Sequence, residues 1–194
     1  MKTKTLFIAL ALATTASAVQ AQDAPSNTWI EGDYVMRDGD GDADGHGLRG
    51  SFAFGDSGLY GLAGYSRLDV DGGPGKLDGW ELGLGYAHAL GERSQLFGEA
   101  AYLEDEFAGF VTTDGSGIVG VESYRASVGL RSSLGSRFEG LVKANYTDGD
   151  GVVDGEFSGT VGGLVKLTPT WGLSGDVTVG EDTNTYRVGL RATF

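Results

Sequence analysis

The 194-residue chain has no cysteine, three prolines, and only 14 lysines and arginines against 27 aspartates and glutamates. Without cysteine there is no disulfide framework, no thiolate metal site and no thiol nucleophile. So few prolines beside 35 glycines exclude a proline-rich stalk and a collagen repeat. A formal net charge of −13 repels polyanions, so nucleic acid is not an expected partner. Helical periodicity is missing too. After Ala21 no apolar run approaches the ~20 residues that a spanning helix needs.

What is present begins with a leader. Lys2 and Lys4 precede the run "LFIALALATTASA", and small residues surround Ala18 and Ala21. This is the pattern of a secretory signal peptide cleaved after Ala21. Residues 1–21 are therefore expected to be removed, leaving 22–194 as a single domain.

In the remainder the period is two. In "WIEGDYVMR" from Trp29, Ile30, Gly32, Tyr34 and Met36 alternate with Glu31, Asp33, Val35 and Arg37; in "HGLRGSFAF" from His46, Leu48, Gly50, Phe52 and Phe54 alternate with Arg49, Ser51 and Ala53. Similar stretches start at Leu59, Trp80, Leu96, Tyr124, Phe138, Phe157, Trp171 and Tyr186. Each has about the ~9–11 residues with which a tilted strand crosses a bilayer. Short links such as "GDSG", "GERS", "LGSR" and "TPT" alternate with longer ones, the longest being "DEFAGFVTTDGSGIVGVES" from Asp105. Short turns on one side and loops on the other predict an all-β, up-and-down antiparallel transmembrane barrel of ten strands, with eight as the alternative count. An even number returns both termini to the periplasm.

The two strand faces differ. On the apolar face one band of rings is expected from Trp29 (slightly out of register), Phe54, Tyr60, Phe138, Trp171 and Phe194. A second comes from Tyr34, Trp80, Tyr102, Tyr124, Tyr146, Phe157 and Tyr186. Rings at both strand ends suit headgroup layers, whereas a soluble sandwich would gather them centrally. Outward glycines at 98, 140, 159 and 175 weaken strand propensity and are read as close packing beside large rings.

The other face carries Glu31, Asp33, Glu81, Glu99, Glu139 and Asp176 with Arg49, Arg67, Arg125, Arg131, Lys143, Lys166, Arg187 and Arg191. Hydrocarbon cannot accept them, so they are expected in the lumen as a paired network. Strand adjacency sets Arg131 beside Glu99 and Glu139, and ring closure sets Arg191 beside Glu31. A filled polar core is favoured over a conducting pore, because ten strands enclose a narrow interior.

The octet "DGDGDADG" from Asp38 to Gly45 reads as a surface loop. Counting an EF-hand from Asp40 puts Ser51, and from Asp38 Arg49, where a bidentate glutamate belongs. No metal site or cofactor is assigned, beyond weak, non-selective Ca²⁺ or Mg²⁺ association at Asp38, Asp40, Asp42 and Asp44. Catalysis has little basis: His46 beside Asp44 is a lone Asp-His neighbour pair, His88 has lipid-facing parity, and no serine motif or ligand cluster joins them. The reading is a non-enzymatic barrel with a structural or surface-interaction role, in envelope integrity, adhesion or biofilm. A narrow solute channel is the alternative, and an outer-membrane hydrolase is less favoured. Its partners would be outer-membrane lipid and lipopolysaccharide, and it would act as a monomer.

The terminal "YRVGLRATF" resembles outer-membrane barrels generally, which implies that Phe194 is the signal read by the barrel-assembly machinery. "WIEGDYV" before an Asp/Gly run, "YGLAGYSRLDVD", "WELGLGYAHAL", "RFEGLVKANYTDG" and "PTWGLSGDVTV" are similar to the small outer-membrane barrel family of xanthomonads, once proposed as a secreted activator of plant immunity and a quorum signal. The resemblance covers the whole chain after the leader. It implies a barrel in the Gram-negative cell envelope. Fractionation should find the mature chain in the outer membrane, with folded and boiled samples migrating differently on a gel; recovery as soluble periplasmic protein would contradict the reading.

Overall fold

The computed structural model describes residues 24–39, 41–112, 115–149 and 155–194. The leader expected over residues 1–21 lies outside them. Ten strands follow in chain order: β1 (Trp29–Gly39), β2 (Ala43–Ala53), β3 (Leu59–Val70), β4 (Lys76–Ala89), β5 (Ser94–Thr112), β6 (Gly115–Ser133), β7 (Phe138–Gly149), β8 (Glu156–Lys166), β9 (Trp171–Val179) and β10 (Thr183–Thr193). Each pairs antiparallel with its sequence neighbours, and β1 pairs with β10 from Trp29↔Thr193 to Gly39↔Thr183. The result is a closed barrel. Closure leaves no sheet edge around the wall, so its backbone N–H and C=O groups bond within the ring.

The outward face exposes Ile30, Leu48, Phe52, Leu82, Leu84, Leu96, Leu130, Val142, Val161, Leu173 and Leu190. A continuous apolar wall of this kind is stable against hydrocarbon and not against water. Rings bracket it. In the upper band Trp80, Tyr102 and Tyr124 follow one another at centroid distances of 5.2 and 5.4 Å, and Tyr146 meets Phe157 at 4.8 Å. Phe52 and Phe54 make an edge contact in the lower band, where Phe138, Trp171 and Phe194 are also exposed.

Two aromatics expected in the lower band point inward instead. Tyr60 is 2% exposed, and Trp29 lies under the Arg191 guanidinium at 4.1 Å. Tyr60 belongs with Leu62 and Leu68 on the inner face of β3, a strand that is apolar on both sides; Tyr65, five pairs along and outward, stands in the upper band opposite Trp80. The inner face therefore holds large apolar groups as well as charges. Tyr60, Leu62, Ala87, Phe97 and Ala101 form one cluster, and Val35, Ala43, Leu68 and Leu77 another towards the opposite mouth.

The segment from Asp105, expected as a loop, is mostly strand. Pairing of β4 with β5 stops at Lys76↔Ala108, and of β6 with β7 at Ser123↔Gly149. Beyond those points β5 and β6 pair with each other, through Phe110↔Gly117 to Thr112↔Gly115. The β-branched residues Val111, Thr112, Ile118, Val119 and Val121 favour this extension. At ~3.3 Å per residue the ribbon stands roughly 30 Å above the ring band.

Close packing does not explain all the outward glycines. A Cβ at Gly159 would meet nothing within 4 Å, and one at Gly98 only the Ser127 carbonyl at 3.8 Å. Inner glycines are different: a Cβ at Gly85 would run into the Tyr60 ring, and one at Gly129 into the Phe97 ring. Gly85→Val should therefore expel the Tyr60 ring and destabilise the barrel by about 1–3 kcal/mol, whereas Gly159→Val should cost little. Urea unfolding midpoints of the two variants in lipid vesicles provide the comparison.

Candidate functional site

Among the described residues, most of the ion pairs lie in the lumen. Alternation along the strands directs Glu31, Asp33, Arg49, Glu81, Glu99, Arg125, Arg131, Glu139, Lys143, Lys166, Asp176, Arg187 and Arg191 into it, and burial there is tolerable because opposite charges meet.

Arg49 on β2 is the hub. Its Nη2 donates to Glu31 and, at 2.8 Å, to Asp176 on β9, while its Nε lies 2.7 Å from Asp33. Both β1 carboxylates are inaccessible to solvent. Arg191 donates to the second oxygen of Glu31 at 2.7 Å, and Arg187 lies 3.6 Å from Asp176. The Glu31–Arg191 pair is a direct register pair across the β1–β10 seam, as strand adjacency anticipates.

Elsewhere the partners differ from expectation. Glu99 on β5 accepts from Tyr60 on β3 at 2.9 Å and from Lys143 on β7 at 3.4 Å. Glu139 pairs with Lys166 at 2.6 Å and Glu81 with Arg125 at 2.7 Å. Arg131, expected to serve Glu99 and Glu139, instead stacks over Phe97 at 5.3 Å and donates to Asn27 at 3.2 Å. The reason is reach. In so narrow a ring a long side chain spans two strands, so β5–β7 and β4–β6 partners compete with adjacent ones.

Arg67 is not in the lumen. The inner parity of β3 belongs to Tyr60, Leu62 and Leu68, so Arg67 points outward with 58% of its side chain exposed and makes a two-point ion pair with Asp78 at 2.6 and 3.0 Å. It sits two register pairs above Tyr65 and Trp80, at a level where a charge can stay hydrated.

Several lumen residues carried no strong sequence signal. Asn27, ahead of β1, exchanges hydrogen bonds with Gln95 on β5 at 3.1 and 3.3 Å, and so crosses the lower mouth to the far wall. Ser26 ties this segment to the carbonyl of Phe194 at 2.8 Å, and Phe194 N–H donates to Thr28. Ser127, Asn145, Thr160 and Thr178 form a neutral hydrogen-bonded ladder from β6 to β9, with links of 2.8, 3.1 and 2.9 Å. Asn145 lies two positions after Lys143, so parity alone places it inward. Beside Arg131, Glu139, Asp176 and Arg191 lies a pocket of about 20 Å³, room for a water or so.

The aspartate octet is not one long loop. β1 runs to Gly39 and β2 resumes at Ala43. Asp44 accepts from the Tyr34 hydroxyl, and Asp42 Oδ1 accepts from the Gly39 N–H. Asp38 is exposed, and Asp40 lies outside the described residues. Among the described residues no three acidic or histidine side chains are placed to hold a metal ion. His46 packs edge-on against Tyr34 at 5.5 Å, and His88 is exposed on the outward face of β4.

No family model and no curated protein matches the chain. Solved outer-membrane barrels do. The NanC porin aligns with a TM-score of 0.54 at 9% identity, over 85% of this chain and 100% of that one. The KdgM porin gives 0.49 at 16% identity over 84% and 99%, and Ail of Yersinia pestis 0.42 at 16% over 84% and 95%. At 9% identity the NanC likeness establishes the β-barrel fold alone.

Arg49→Ala should strip Asp33 of its ion pair, leave Glu31 and Asp176 with Arg191 and Arg187 alone and cost about 3–5 kcal/mol, whereas Arg67→Ala should leave stability unchanged within error. Unfolding midpoints of both variants test the assignment of the hub, and equal effects would contradict it.

Proposed function

We propose that the chain is an outer-membrane barrel with a closed lumen that works through its exterior, as a structural and surface-interaction protein rather than a channel or an enzyme. The observation that carries this reading is the spanning of the interior by side chains: Arg49 to Asp176, Tyr60 through Glu99 to Lys143, and Asn27 to Gln95 and Arg131. Among the described residues these links cross the interior, where solute selectivity would require an open, asymmetric constriction. The β5–β6 ribbon supplies an exterior surface for adhesion or biofilm contacts.

The rest of the assignment follows the sequence. We place both termini in the periplasm and the ribbon outside the cell. Phe194, 73% exposed, is the proposed signal for the barrel-assembly machinery, and the proposed family is that of the small xanthomonad barrels. Lipid and lipopolysaccharide are the proposed partners of a monomer. Any Ca²⁺ or Mg²⁺ association at Asp38, Asp40, Asp42 and Asp44 is weak in this reading, since Asp42 and Asp44 already accept hydrogen bonds.

Planar-bilayer recording on the refolded mature protein tests the closed lumen. The expected trace shows no stable open level, and steady nanosiemens conductance at neutral pH would refute the reading in favour of a channel. Replacing residues 109–119 with a two-residue turn should abolish surface adhesion in cells while leaving the heat-modifiable barrel intact.

A further inference from the structure

The outward wall is not evenly filled. On β5–β7 a groove of about 390 Å³ runs beneath the upper ring band, lined by Ala100, Ala126, Tyr102, Tyr124, Tyr146 and Asp148. Its volume falls within the ~300–1,000 Å³ of small-molecule sites. The register explains its shape. Ala100 pairs with Ala126, and Ala126 with Tyr146, so two methyl groups form a floor beside a ring wall. Directly below, Gly98 pairs with Val128, Val128 with Ala144, and Ala144 with Gly159. Below the groove the wall has no side chain at Gly98 and Gly159, while Val128 between them stands exposed.

The upper end of the groove has one sign of charge. Glu104 and Glu122 are direct cross-strand partners on the outward face, immediately above the Tyr102↔Tyr124 pair. Like charges so placed destabilise a sheet unless something offsets them. Asp148 accepts from the Tyr146 hydroxyl at 3.5 Å. Neither outward cation nearby is free: Arg67 is engaged by Asp78 at 2.6 Å and Lys76 by Asp69 at 3.4 Å.

We propose that this groove binds an amphiphile with one apolar chain and an ammonium head, the chain lying over Ala100 and Ala126 and the head between Glu104, Glu122 and Asp148. Tyrosine rings flank the chain where it meets the headgroup layer, and aromatic faces also attract an ammonium group. An anionic head would meet three carboxylates and be excluded.

Spin-labelled stearylamine, stearate and phosphatidylcholine, each added to phosphatidylcholine vesicles containing the refolded mature chain, test the proposal through the fraction of motionally restricted label. Stearylamine should be held over phosphatidylcholine by about ten-fold, a difference of one decade in affinity, and stearate should show no preference. The stearylamine preference should vanish in the Glu104→Gln/Glu122→Gln double variant and in Ala126→Trp. Both alter outward positions, and heat-modifiable mobility verifies that the barrels are folded. Equal restriction of all three labels, a preference for stearate, or a stearylamine preference that survives either variant would overturn the proposal. Efficient disulfide dimers of Ala126→Cys would overturn it too, by placing a second copy of the chain on this face.

Discussion

Everything in this molecule follows from the need to satisfy backbone hydrogen bonds in a wall whose outside is apolar. An unpaired N–H or C=O facing hydrocarbon costs several kcal/mol, so the sheet must close on itself. The β1–β10 seam, paired from Trp29 to Gly39, is the step that does this. Once closed, the ring has an inside, and period-two alternation sends every second side chain there. The seam also brings Glu31 opposite Arg191, so the contact that completes the backbone network also joins the charge network.

The number, direction and order of the strands were legible in the sequence because alternation and turn chemistry repeat along the chain. β3 and β9 begin at Leu59 and Trp171, the starts read from the pattern. Side-chain direction failed on β3, where Tyr60, Leu62, Leu68, Leu59 and Tyr65 are apolar or aromatic on both faces and alternation loses its contrast. A one-residue error in parity reverses a whole strand. It drew Arg67 inward and Tyr60 outward, when Tyr60 in fact supports Glu99 from within. The ribbon beyond Ala108 escaped for another reason: its glycines and acidic residues read as loop, but two strands that satisfy each other's backbone need no neighbours.

Ion-pair partners were legible only where register dictates them. Glu31 and Arg191 face each other across a seam, which sequence order can count. Lys143 reaches Glu99 past the whole of β6, and Arg49 reaches Asp176 past β1 and β10. Such choices depend on lumen width and on which rings occupy the space. Phe97 and Tyr60 fill the β3–β5 side, so Arg131 stacks on Phe97 and Lys143 and Tyr60 are left to hold Glu99. Asn27 had no signal at all, because its position follows from where the segment before β1 must turn to enter the wall.

The interior thus holds two apolar clusters centred on Tyr60 and Leu68 of β3 beside ion pairs contributed by every strand except β3, and the mixture bears on why the charges are there. A buried ion pair is weak evidence of stability, since well-packed apolar groups of the same volume serve as well. Apolar filling is plainly available to this barrel, as the two clusters around Tyr60 and Leu68 show. A barrel with apolar residues on both faces, however, has no inside or outside by composition, and each strand is free to slip by one residue. Charges forbid that. Rotating Arg49, Arg187 or Arg191 outward would place an ion against hydrocarbon, at a cost of several kcal/mol. The inward charges therefore fix strand parity, and β3, which has no inward charge of its own, takes its parity from Glu81 and Glu99 on the strands that follow.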